Sequence, residues 1–178
     1  MRTLRKFGFA IIAVIALLAA SSCSSDEEST GGSGSSSTTL DGSKFSASYA
    51  YWYIIEQGQS NILVMEFYSC NRNKPSFPLN MVSFSYDIPK DQTEIENVTL
   101  SNDEYDIYLV KDMTMNDEGW QGENWKNRNA NSSLVIKRNG NKISVSLENA
   151  NIYDDSNTPK VFSFNYEGSI TRIEDEWS

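Results

Sequence analysis

Two tryptophans, Trp120 and Trp125, stand in a stretch from Lys111 to Ser132 that also holds Asn116, Asp117, Glu123 and Asn124. Flat aromatic faces beside amides and carboxylates suit a sugar ring, which offers C–H surfaces for stacking and hydroxyls for hydrogen bonding. Trp120, Trp125, Asn116, Asp117, Glu123 and Asn124 are therefore the candidate ligand-binding residues. The competing reading is packing, in which one or both tryptophans fold back to close the end of the core. The stretch shows no strand pattern and reads as a loop of about 22 residues, longer than loops in compact domains usually run without a role.

The same residues raise metal chemistry and do not carry it. Asp112, Thr114, Asn116 and Glu123 partly follow the ligand spacing of an EF-hand loop. Asp117 stands where that loop needs glycine, and no flanking helices are predicted, so no metal is assigned. The chain has no histidine, which removes Ser-His and Cys-His catalysis and most zinc sites. It has no glycine-rich phosphate loop and no dinucleotide fingerprint. Carboxylate chemistry alone stays open, and no pair among the 24 acidic residues has the spacing of a glycosidase site. The expectation is a non-enzyme that needs no cofactor.

The address of the protein is written at its start. Arg2, Arg5 and Lys6 precede an apolar run from Phe7 to Ala20 that is too short to span a bilayer comfortably. Ala20-Ser21-Ser22-Cys23 resembles the lipobox of bacterial lipoproteins, with Ala20 where that family usually carries leucine. The resemblance implies cleavage before Cys23, acylation of that residue, and a protein anchored to a membrane rather than spanning it. Ser24-Ser25-Asp26-Glu27-Glu28 resembles the surface-export signal of Bacteroides-type lipoproteins. That implies an outer-membrane, cell-surface location. The layout as a whole is similar to the small all-β surface lipoproteins of that group, a likeness that transfers no activity. Removal of residues 1–22 leaves twelve basic against 24 acidic residues, a net charge of −12 that disfavours nucleic acid and anionic lipid as partners. One other cysteine, Cys70, remains, so no internal disulfide forms. It ends an apolar strand pattern and reads as a small buried hydrophobe.

These observations divide the chain into a signal peptide (1–22), a lipidated Cys23 with a tether (23–44) and one β domain (45–178). From Ser29 to Lys44 the chain is Ser, Gly and Thr with almost no apolar content. Such a segment cannot offset the entropy of ordering, and reads as a flexible tether reaching roughly 25 Å. Within the domain, Phe45–Ile55, Ile62–Tyr68, Met81–Ile88, Tyr105–Val110 and Val161–Thr171 carry strand patterns, and Glu94–Leu100 a weaker one. Tyr49, Tyr51 and Tyr53 read as sheet-face packing rather than a surface stripe. Ser133 to Leu147 is a hairpin around Asn139-Gly140, a pair suited to a type I′ turn. That turn sets Ile136 opposite Ile143 and Leu134 opposite Val145. No segment has sustained helical periodicity.

The expected fold is all-β, a single antiparallel β-sandwich of about eight strands, with an up-and-down lipocalin-like barrel as the alternative. The expected function is that of a membrane-anchored, non-catalytic binding module for glycan or another nutrient. The alternative is a structural or protein-interaction subunit of a cell-envelope complex. The expected partners are the membrane, through lipid on Cys23, and a glycan or envelope protein.

Overall fold

The computed structural model describes residues 32–116, 119–127 and 131–174. Among them there is no helix, and twelve strands form: β1 (Gly32–Leu40), β2 (Ser43–Phe45), β3 (Tyr49–Gln57), β4 (Ser60–Tyr68), β5 (Leu79–Ile88) and β6 (Val98–Leu100). β7 (Tyr105–Asn116), β8 (Gly119–Asn127), β9 (Leu134–Asn139), β10 (Lys142–Tyr153), β11 (Pro159–Ser169) and β12 (Thr171–Arg172) complete them. All belong to one sheet. Its hydrogen-bonded neighbours run β11, β1, β3, β4, β5, β7, β8, β10, β9, β6, and β10 also pairs with β11. The pairings are antiparallel except that of β12 beside β3.

Alternation along the strands divides the sheet into two faces. On one, Ala50 and Trp52 of β3, Phe67 of β4, Phe84 of β5, Leu109 of β7, Val145 of β10 and Phe164 of β11 join a single large core. Its centre is aromatic, with Phe67 4.8 Å from Phe164 and 4.9 Å from Tyr166 between ring centroids, and Phe84 5.2 Å from Phe164. Each fully buried Phe, Leu, Ile or Val contributes roughly 1.5–3 kcal/mol, against ~0–1 kcal/mol for a surface ion pair. The fold therefore rests on this interior. The other face of β3, β4, β5 and β7 is apolar too, carrying Tyr51, Tyr68, Met81, Tyr108 and Val110 in one cluster and Tyr53, Ile62 and Val64 in another. Double-sided burial is why much of β3 and β4 reads as a continuous apolar run. The tyrosines of β3 pack against the sheet face, as expected.

Three expectations change. First, the strand count is twelve rather than about eight: the Ser/Gly/Thr segment read as tether holds β1 and β2, the segment read as a loop holds β8, and the end of the last strand is a separate β12. Two glycines of the Ser/Gly/Thr segment, Gly32 and Gly34, serve close approach. Gly34 pairs with Gly168 of β11. A Cβ on Gly34 would lie 2.5 Å from the Glu167 carbonyl oxygen and 2.7 Å from the Tyr166 ring. Bare backbone lets that ring cover the seam, and the Tyr166 hydroxyl donates to the Ser169 carbonyl at 2.6 Å.

Second, the β9–β10 hairpin forms with a different turn. Asn139 pairs with Lys142, Arg138 with Ile143 and Ile136 with Val145, so Gly140 and Asn141 occupy the tip. Gly140 has φ +61° and Asn141 is not in the left-handed region. That is a type II′ turn, which asks for one positive φ and has glycine there, whereas type I′ would also force Asn139 positive. Sliding the turn by one residue moves each partner by two, so the faces are kept. Leu134, Ile136, Ile143, Val145 and Leu147 are all buried.

Third, the segment from Lys111 to Ser132 is not a structureless loop. β7 continues to Asn116 and turns back as β8. Cys70 is half-buried and packs against the outer cluster, exchanging hydrogen bonds with Ser76.

Candidate functional site

The β7–β8 hairpin carries most of the residues singled out for ligand binding. It is buried at its root and open toward its tip. At the root, Leu109 opposes Trp125 and Tyr108 opposes Lys126. Beyond them the ladder is interrupted, with Asp112 and Met113 set against Gly122. Asp112 adopts φ +52° there, the positive backbone angle of a bulge residue, and its N–H donates to Asn80 Oδ1 at 2.9 Å. Past the bulge Thr114, Met115 and Gln121 are exposed, as are Gly122 and Glu123 beside it, whereas Met113 is buried.

The six candidates separate along this ribbon. Trp125 is 3% exposed and belongs to the main core. Lys160 Nζ lies 5.9 Å from its ring centroid, and its Nε1 has no hydrogen-bond partner. It packs rather than offering a face to a ligand. Asn124 is half-buried and held at both ends of its amide: Tyr108 donates to its Oδ1 at 3.1 Å, and its Nδ2 donates to the Gly122 carbonyl at 3.3 Å. Burial, and less so the charge of Asp155, raises the Tyr108 hydroxyl above the ordinary tyrosine range, so it acts as a donor. Glu123 is exposed and opposite Lys111, whose Nζ lies 3.2 Å from Asp112. Asn116 ends β7 opposite Gly119, and Trp120 lies opposite Met115. Asp117 and Cys23 lie outside the described residues. Thr114 and Glu123 sit on extended strands and Asp112 at the bulge, rather than wrapped around a point. Among the described residues no three carboxylates or thiols gather as a metal site would require.

Sequence reasoning missed a polar cluster on the outer face. Glu66 is fully buried in the apolar run of β4 and accepts hydrogen bonds from Tyr68 at 2.8 Å and Tyr53 at 3.1 Å. Tyr51 and Ser83 oppose it on the neighbouring strands. The Tyr51 and Tyr68 rings meet edge-on at 5.9 Å, the Arg72 N–H donates to the Tyr51 hydroxyl at 3.2 Å, and Ser83 Oγ lacks a partner. Burial and then the Glu66 charge push the Tyr68 hydroxyl well above its ordinary range, while the nearby Arg72 charge pulls the other way. A tyrosine so placed donates and does not serve as a base. The signal was present in the sequence: a glutamate among Ile62, Leu63, Val64, Met65 and Phe67 must find partners when the strand is buried on both sides.

An open groove of about 460 Å³ lies at the other end of the molecule, lined by Ile95, Glu96, Asn97, Arg138, Gly140 and Asn141. Arg138 is spent on structure there. It pairs with Glu94, its Nε donates to the Gly140 carbonyl at 3.0 Å, and its backbone N–H donates to Asn97 Oδ1.

No family model, curated protein or solved structure matches the chain.

Proposed function

We propose that this chain is a lipid-anchored, non-catalytic binding module that presents its β7–β8 ribbon to a glycan or similar polar ligand at the outer surface of a bacterial outer membrane. The observation supporting this is the ribbon itself. Beyond the bulge its exposed side chains add little to the core, so their amide, hydroxyl and carboxylate groups are available for contact. Trp125 is withdrawn from the ligand role by its burial, which moves the contact toward the Asn116–Glu123 end. Anchoring rests on the leader and Cys23 of the sequence.

The pairings also favour the barrel over the sandwich. β1, β3, β4, β5, β7, β8, β10 and β11 pair in succession and β11 returns to β1, as closure of an up-and-down sheet requires. Its interior is filled by Phe67, Phe84, Phe162, Phe164 and Tyr166, so a ligand would bind outside rather than within it.

The test is titration of the full chain with a glycan panel, followed by intrinsic fluorescence and melting temperature. A saturable shift that Asn116→Ala weakens at least fivefold supports the reading. No shift with any glycan, together with crosslinking to an envelope protein through the ribbon, would replace it by the interaction-subunit reading. Acylation is tested separately by intact mass and by loss of membrane partitioning in Cys23→Ala.

A further inference from the structure

Strand β8 has one committed edge and one open edge. The first pairs with β7. On the second, β10 reaches only Lys126 and Asn127. Among the described residues nothing pairs on that side with the stretch from Trp120 to Asn124. Gln121, Gly122 and Glu123 are exposed, and an exposed glycine in a strand is exposed backbone. Soluble proteins usually blunt such an edge with lysine, proline or a bulge. Trp120 to Asn124 contains neither residue, and the bulge here is on β7, the inner strand.

We propose that β8 is a homodimerisation edge, along which two copies of this chain pair antiparallel about a twofold axis at Gly122. The occupant follows from complementarity. Centred on Gly122, the pairing sets Gln121 of each copy opposite Glu123 of the other. Directly opposed residues share a face with Cβ atoms ~5 Å apart. An amide N–H thus meets a carboxylate on each side of the axis, forming two charge-assisted hydrogen bonds. The existing register extends the row, because Lys111 already opposes Glu123 and Thr114 opposes Gln121. Across the interface the order is Lys111, Glu123, then Gln121 and Thr114 of the second copy, with no like charges meeting. Centring on Glu123 instead would oppose two carboxylates. Glycine on the axis brings no side chain against its own copy, and the contact is isologous and closed. The long Asn124–Gly122 bond is the one local contact the new ladder displaces.

The experiment is sedimentation equilibrium of the full chain in density-matched detergent from about 1 to 200 μM, beside Gln121→Glu, Glu123→Gln and the double swap. The wild type moves from monomer toward twice its mass. Gln121→Glu, which opposes two pairs of carboxylates, weakens association at least tenfold, and the swap restores it to within threefold. In a Cys70→Ser background, Gln121→Cys mixed with Glu123→Cys crosslinks under mild oxidation and neither alone does, a readout independent of the charge variants. A wild type that stays monomeric throughout, or a dimer unmoved by Gln121→Glu, overturns the proposal. So does crosslinking by Gln121→Cys alone.

Discussion

Two hairpins, β7–β8 and β9–β10, are built on the same antiparallel ladder and differ in what lies beneath them. In β9–β10 the alternate residues Leu134 and Ile136 of one strand and Ile143, Val145 and Leu147 of the other enter the core. In β7–β8 the core holds only the root, and past the Asp112 bulge the exposed positions lie on both sides of the ribbon. Backbone pairing runs along both, broken in β7–β8 only by the bulge. Side-chain alternation is therefore a signature of one-sided burial and not of strand structure as such. A ribbon that projects from its sheet carries no such signature, and its residues are left to other uses.

The sharpest way to break this comparison is at the root of the projecting hairpin. Trp125→Ala should cost about 3–5 kcal/mol in urea unfolding, as truncation of a buried ring does. A cost under about 1 kcal/mol would mean that the root is not core. Val145→Ala, in the other hairpin, should cost about 2–4 kcal/mol by the same measurement. Next is the turn. Gly140→Val should cost about 1–3 kcal/mol because φ +61° is hostile to a β-branched residue. Asn139→Ala should be nearly silent, which separates the type II′ turn from type I′.

A smaller effect joins the two hairpins. Tyr105, at the start of β7, donates to the Ser132 carbonyl just ahead of β9 at 2.8 Å, and burial pushes its hydroxyl up to about 12. With the folded value raised, the neutral form is favoured in the native state. This contribution is whole below pH 10 and is lost as pH rises from 10 toward 12. At pH 11 the loss should be about 1 kcal/mol. It should be absent in Tyr105→Phe, and tyrosinate absorbance should lag behind that of the unfolded chain. Smallest of all, Glu123→Ala on the open ribbon should change stability by no more than about 0.5 kcal/mol.

The legibility of the sequence follows the same division. The strands over β3, β4, β5, β11 and the β9–β10 hairpin were readable because they have a buried face or two. The hairpin's facing was right and its register was not. Asn139-Gly140-Asn141 offers two adjacent turn pairs, and only the backbone angles choose between them. β1 was hidden for another reason: Gly32, Gly34 and the serines from Ser33 to Ser37 carry no apolar signal, although Gly34 is demanded by Gly168 and Tyr166 across the seam. Of the candidate site, the position of Trp125 in the core was one of the two readings open from sequence. The Glu66 cluster was overlooked because an isolated carboxylate in an apolar run gives no hint of which tyrosines will meet it.

Because β1 begins at Gly32, only residues 24–31 separate Cys23 from the sheet. Even fully extended, that is about 30 Å of chain, comparable with the breadth of the domain itself. On the proposed acylation, the protein is thus held within about one domain's breadth of the bilayer, with its freedom closer to that of a hinged plate than of a kite on a string. Whatever it meets must arrive at the bilayer, or be handed down to it.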